Sequence, residues 1–206
     1  NMEWGAVAYL THSDYGRCSN GSCSEIGINN YYSRSGSSQF KTGCGANAGS
    51  GSSGTCNEYT TSLGMNASST GNIYGIYDLS GGAYEYVMGN MSSGSGSYTY
   101  NAKSAGSNFS YSASTAKYID TYAYGTSTTD QTAYNRARLG DATGEVVVSS
   151  TTAWNNDYAY FVYSSRPWFL RGGYYSNGSL AGVFFFNYYY GNSNSLASAR
   201  AALLAF

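Results

Sequence analysis

Residues 17–72 are dominated by Ser, Gly, Asn and Thr, and nothing else in the chain limits the fold as strongly. Such a stretch can bury little apolar surface, so it reads as long loops rather than regular elements. All four cysteines, Cys18, Cys23, Cys44 and Cys56, fall within it. Four cysteines admit three connectivities. Local pairing, Cys18 with Cys23 and Cys44 with Cys56, is the simplest because each bridge staples one loop. A zinc site is the alternative, but there is no CxxC pair, His12 is the only histidine, and the spacings fit no common zinc module. Disulfides are favoured, and with them an oxidising compartment. Residues 17–71 therefore read as a disulfide-pinned loop region. Loops this long in a compact domain point to function or to a specialised fold.

The core must come from the rest of the chain. The 206 residues suffice for one α+β or all-β domain over 1–206. Trp4–Leu10 is a short apolar run with helical character. Ala116–Tyr124 and Thr132–Leu139 are amphipathic, as short helices or strands. Gly144–Ser149, Trp168–Arg171 and Val183–Phe186 read as strands, and Ala199–Phe206 as a buried terminal strand. Ser92–Ser114 is a second Ser/Gly/Tyr-rich loop region. No apolar run is long enough to span a bilayer. The start, Asn1-Met2-Glu3-Trp4, lacks a basic stretch followed by an apolar one, so an export or anchoring segment is expected to lie outside these residues or to have been removed.

Charge excludes one class of partner. The net charge is −1, and the 10 Lys and Arg residues do not cluster, so there is no phosphate-neutralising stripe for nucleic acid. Charged residues are only 10% of the chain, against about a quarter in ordinary proteins. Tyr occurs 24 times and Gly 27 times, beside abundant Ser and Asn. Antibody loops favour this set, in which Tyr supplies rigid contact area and the small polar residues adapt. The plainer reading is a low-charge extracellular β protein that uses Tyr where others use Leu.

One segment carries a family likeness: Asn72-Ile-Tyr-Gly-Ile-Tyr-Asp-Leu-Ser-Gly-Gly-Ala-Tyr-Glu-Tyr86. It resembles the signature of the formylglycine-generating-enzyme (sulfatase-modifying-factor) family, Asn-x-aromatic-Gly-Leu-Tyr-Asp-Met-x-Gly-Asn-Val-Trp-Glu-Trp. Asn72, Tyr74, Gly75, Tyr77, Asp78, Gly81 and Glu85 fill matching slots. Gly82 and Ala83 depart from Asn-Val, and tyrosines replace both tryptophans. Arg171-Gly172-Gly173-Tyr174-Tyr175 is similar to the family's Arg-Gly-Gly-Ser-Trp. Arg200 and the apolar residues after it are similar to its terminal strand, with Ala199 in place of an aromatic. The likeness covers Asn72 to Phe206 and implies an α+β, C-type-lectin-like fold with long irregular loops.

The likeness does not bring the family's chemistry with it. The generating enzymes use a cysteine pair near the terminal strand, and no cysteine follows Cys56 here. Related iron-dependent enzymes need several histidines. No Gly-x-Ser-x-Gly elbow or phosphate-cradling Gly-rich loop is present. Asp78 and Glu85 read as a polar scaffold cluster that takes hydrogen bonds from backbone or tyrosines. A non-enzymatic protein without cofactor or metal is expected. A metal-dependent sugar binder, with calcium at Asp141 or at Asn155-Asn156-Asp157, is a weaker reading, since no EF-hand-like loop occurs.

The same fold serves the variable proteins of diversity-generating retroelements, which bind ligands through a C-terminal variable region. Those elements mutate template adenines, so randomised AAC and AAT codons never reach Lys, Glu, Gln, Met or Trp. None of the five types occurs from Tyr174 to Phe206, whereas 17 (3 Lys, 5 Glu, 2 Gln, 4 Met, 3 Trp) stand in residues 1–173. Composition alone would give such an absence on the order of 3% of the time. Residues 172–206 are thus a candidate variable region. Strand alternation would bury Val183 and Phe185 and turn Phe184 and Phe186 outward. The expected contact set is Tyr174, Tyr175, Asn177, Leu180, Phe184, Phe186, Tyr188, Tyr190, Asn192 and Asn194. The expected partner is a protein or glycan on another cell or surface, met by a receptor or adhesin on a cell or virion surface. The alternative is a pilin-like or filament subunit with a fixed Tyr/Gly/Ser-rich surface.

Overall fold

The computed structural model describes residues 1–30, 57–91, 100–101, 108–109, 119–122, 141–143, 153–163 and 166–202. The fold is α+β. The first helix, α1 (Met2–Thr11), matches the apolar run expected to be helical. Trp4, Ala8 and Thr11 recur at helical spacing and bury one face. The Trp4 indole N–H donates to the Val183 carbonyl at 2.8 Å, which docks the helix on the C-terminal segment.

A two-strand hairpin follows, β1 (Cys18–Ser19) with β2 (Ser22–Cys23). Its two-residue turn is Asn20-Gly21, with φ of 52° and 79°. Asn and Gly tolerate positive φ, and a turn of this kind matches the twist of paired strands. Cys18 and Cys23 face each other in register and are bridged, as the local pairing expects. Cys44 and Cys56 lie outside the described residues. A short helix, α2 (Ser62–Met65), is capped by the Thr61 hydroxyl, which accepts from the Gly64 N–H.

Five strands form the central mixed sheet. They are β3 (Tyr84–Met91), β6 (Asp120–Tyr122), β7 (Trp168–Arg171), β8 (Phe186–Tyr189) and β9 (Ala197–Ser198). The path runs β6-β3-β7-β8, and β9 pairs in parallel with the start of β3. The β3–β7 pairing is antiparallel, sets Glu85 opposite Arg171, and shifts register between Tyr86 and Asn90. A further strand pair, β4 (Tyr100–Asn101) with β5 (Asn108–Phe109), lies within Ser92–Ser114. Among the described residues no helix is long and apolar enough to cross a membrane.

The core is aromatic. The Phe161 and Phe186 rings stack at 5.1 Å, and Phe169 meets Phe186 edge-on at 4.9 Å. Trp4, Ala8, Ile26, Leu79, Met91, Val162, Val183 and Phe184 are among the residues packed with them. Burying each of the larger aliphatic or phenylalanine side chains contributes about 2 kcal/mol. Arg171 is fully buried on the same side. It donates to the Asp141 carbonyl and the Asn1 side-chain oxygen, and its guanidinium lies 4.9 Å from the Phe186 ring centroid. A charge so far from water needs such partners.

Two sequence expectations change. Trp168–Arg171 is a strand as expected, but Val183–Phe186 is not one: the strand begins at Phe186 and runs to Tyr189. Residues 183–185 form a turn instead, because the Asp157 carboxylate takes the Phe184 N–H at 2.8 Å and removes it from strand pairing. Among the described residues the last strand is Ala197–Ser198 and residues 199–202 are exposed rather than buried, while residues 203–206 lie outside the described residues. Gly144–Ser149 and Thr132–Leu139 lie outside the described residues, and of Ala116–Tyr124 only the strand at Asp120–Tyr122 with the residue before it is described.

Candidate functional site

The three segments that carried the family likeness converge in space. The Gly81 N–H donates to the Gly172 carbonyl at 2.9 Å, and the Tyr175 N–H to the Gly82 carbonyl at 3.0 Å. Gly172 has φ +81°, and a Cβ there would press on the Leu79 carbonyl and the Trp4 ring. Gly173 has φ +76° and backs onto Ala181. Arg200 reaches back from the C-terminal segment to Glu85. Its Nε donates to one carboxylate oxygen at 2.6 Å and an Nη to the other, while its remaining N–H groups serve the Tyr77 and Asp78 carbonyls. Burial pushes the Glu85 carboxyl above its ordinary range, and Arg200 works against that rise. A cleft of about 260 Å³ opens here between Asn29, Asp78, Gly82, Glu85, Ser198 and Arg200.

The rest of the motif shapes the approach to this point. The Asn72 side chain accepts from the Tyr74 N–H at 2.9 Å and sets a turn. Gly75 packs where a Cβ would strike the Ser68 hydroxyl. The Tyr77 hydroxyl donates to the Tyr59 and Asn72 carbonyls, and Tyr74 projects into solvent at 88% exposure. Asp78, at φ +59°, accepts from the Asn29 amide.

Beside the cleft lies a face built of tyrosines. Tyr174 packs on Tyr84 at 4.8 Å and on Tyr175 at 5.2 Å. Buried Phe185 supports Tyr84 from one side and Tyr158 from the other, at 5.6 and 5.8 Å. Tyr158 meets Tyr160 at 5.0 Å, and Tyr160 meets Tyr188 at 5.9 Å. Tyr163 stands edge-on to Tyr188 at 5.2 Å, and Arg166 lies over the rings of Tyr188 and Tyr190. All these tyrosines are half-buried, with one ring face committed to neighbours. Burial raises the Tyr84 and Tyr86 hydroxyls above their ordinary range and Tyr158 to about 12, so these three stay protonated at physiological pH.

Asp157 holds the floor of this face. It is buried and accepts the main-chain N–H groups of Phe184 and Phe185, which fixes the turn presenting Phe185. Gly182 is needed beside it, since a Cβ there would run into the carboxylate. His12 packs edge-on against Phe184 at 4.9 Å, with Nε2 2.5 Å from the Asn155 amide and 3.6 Å from Glu25. The Asp141 carboxylate accepts from the Thr143 N–H and hydroxyl. Both aspartates named as calcium candidates thus serve internal donors. Among the described residues no group of three His, Cys, Asp or Glu is placed to hold a metal ion.

The expected contact set divides. Tyr174, Tyr175, Asn177, Tyr188, Tyr190, Asn192 and Asn194 are half-buried on or beside the tyrosine face, and Leu180 is 44% exposed. Phe184 and Phe186 are corrected: both are fully buried, because the 183–185 turn and the β8 pairing direct them into the core. Several of the asparagines are structural. Asn177 accepts from the Tyr174 N–H, the Asn194 amide donates to the Tyr189 hydroxyl, and the Asn192 carbonyl accepts from the Tyr86 hydroxyl. Sequence reasoning missed Tyr84, Tyr158, Tyr160, Tyr163 and Arg166. The signal available was the alternation Tyr158-Ala-Tyr160 and the dense tyrosines around the single Pro167.

Comparison with protein-family models, with curated proteins and with solved structures finds no match to this chain.

Proposed function

We propose that this chain is a surface-displayed binding protein, a receptor or adhesin. Its scaffold is C-type-lectin-like, similar to that of the formylglycine-generating-enzyme family, and its binding face is diversified by a retroelement. The tyrosine face carries the reading. A rigid array of half-buried tyrosines, half of them from Tyr174–Asn194 and half from Tyr84 and residues 158–163, is what a binder uses for area at low entropic cost. The absence of Lys, Glu, Gln, Met and Trp over residues 174–206 supports diversification of that segment. The bridge between Cys18 and Cys23 supports an extracellular or virion-surface location.

This reading separates positions that vary from positions that stay fixed. Val183, Phe184, Phe185 and Phe186 are buried, and truncating a buried phenylalanine costs about 3–5 kcal/mol. Their codons are therefore expected to be invariant. Tyr174, Tyr175, Leu180, Tyr188, Tyr190 and Asn192 are free to change, whereas Asn177 and Asn194 are held by their side-chain hydrogen bonds. The test is to sequence the DNA around the gene. A near-identical repeat of the codons for residues 174–206, differing at adenines of the free positions and lying beside a reverse transcriptase, is expected. No repeat would leave a fixed adhesin or filament subunit in its place.

A further inference from the structure

We infer that Arg166, set among Tyr163, Tyr188 and Tyr190, is the anchor of a subsite for an acidic glycan, a sugar bearing a carboxylate. The inference rests on the tyrosine face being a binding surface and adds the chemistry of its ligand. Among the described residues Arg166 is the cation of that face. Its guanidinium carbon lies 5.0 Å from the Tyr188 ring centroid and 4.8 Å from that of Tyr190. Tyr190 also hydrogen-bonds the side chain. Its Nε is buried without a hydrogen-bond partner, and among the described residues no carboxylate forms an ion pair with it.

A guanidinium on a tyrosine surface loses hydration, and the Tyr190 hydrogen bond with the neighbouring tyrosines holds it in its charged form, each ring contact contributing on the order of 1 kcal/mol. None of these partners is itself an anion at neutral pH. The planar fork is preorganised, because two rings hold it, and it matches a carboxylate in two parallel hydrogen bonds. An anion arriving there supplies the counter-charge the described residues lack.

The surroundings favour a sugar over a peptide as the carrier. Tyrosine rings present flat apolar faces for the C–H faces of a pyranose, while their hydroxyls and the nearby asparagine amides match sugar hydroxyls. The outer side of β8 is already engaged at Phe186, where Tyr158 and Tyr160 exchange main-chain hydrogen bonds with it. This reduces the open sheet edge that an extended peptide would need.

The test uses the intact chain on four probes: oligogalacturonate, its methyl ester, sialyllactose and lactose. Binding of at least one acidic sugar, about tenfold or more above its neutral counterpart, is expected. Arg166→Gln is expected to abolish that preference, Arg166→Lys to restore part of it, and both to keep the wild-type near-UV spectrum. Equal binding of charged and neutral sugars, lost in Tyr188→Ala but kept in Arg166→Gln, would overturn the anion subsite and leave the face as a binding surface. No retention of any of the four would overturn the glycan assignment. A poly-glutamate peptide bound with the same Arg166 dependence would overturn it too, in favour of an acidic protein. The gene-repeat test stands apart from all these outcomes, so failure here and failure of the displayed-binder reading are distinguishable.

Discussion

Asp157 shows how one side chain can set the pH response of the molecule. Burial, with Glu25 nearby, raises its carboxyl from 3.8 to about 7, while the N–H groups it accepts and His12 oppose the rise. Between those values the unfolded chain has released a proton that the folded chain keeps. By linkage its contribution to stability is full below the lower value, falls as pH rises toward 7 by on the order of 1 kcal/mol per unit, and is flat above. Asp157→Asn is expected to flatten the melting temperature between pH 4 and pH 7, and an unchanged slope would show that another group sets it. Arg200 offers a second case. Arg200→Met leaves Glu85 buried without its cation. Because Arg200 is itself 41% exposed, the loss at pH 8 is expected to be about 1–2 kcal/mol rather than that of a fully buried pair. At pH 4, where Glu85 can take a proton, the loss should shrink. Urea midpoints at the two pH values measure the difference.

At the scale of elements, the turn after β7 and the strand β8 decide where the sheet ends and the tyrosine face begins. Gly172→Ala places a side chain at φ +81° against the Leu79 carbonyl and the Trp4 ring, at 2.9 and 3.0 Å. A destabilisation of about 2 kcal/mol or more is expected. Gly178, at φ +57° with open space around it, isolates the backbone cost, and Gly178→Ala should lose only about 1 kcal/mol. Chemical denaturation of the two variants separates backbone strain from packing. Within β8, Phe186→Ala is expected to cost about 3–5 kcal/mol, whereas Tyr190→Ala, just past its end, should cost less than about 1 kcal/mol and act on binding. Similar losses for both would mean that the C-terminal segment has no surface side.

Across the whole molecule, long-range contacts dominate. Arg171 and Asn1, 170 residues apart, share a hydrogen bond in the interior, and Tyr86 reaches Asn192 across 106 positions. The Cys18–Cys23 bridge, by contrast, closes a loop five residues long in separation. Replacing both cysteines by serine is expected to remove about 2 kcal/mol and leave the sheet intact, as read by far-UV circular dichroism. What the sequence by itself determined is local. A short apolar run placed α1, the apolar run Trp168–Arg171 placed β7, and the nearness of Cys18 to Cys23 placed the bridge, while the hairpin that it closes came from the structure. Such signals act within a few residues, where turn chemistry and side-chain period are decisive. Only the tertiary structure decided the fate of Phe184–Phe186. Alternation alone sends two of them outward, yet all three are buried. The cause lies in a carboxylate some 27 residues upstream, which captures a main-chain N–H and breaks the alternation before β8 begins. The tyrosine face is tertiary for the same reason. Its rings come from β3, the 158–163 segment, β8 and the turn after β7, and no local pattern records that they will meet.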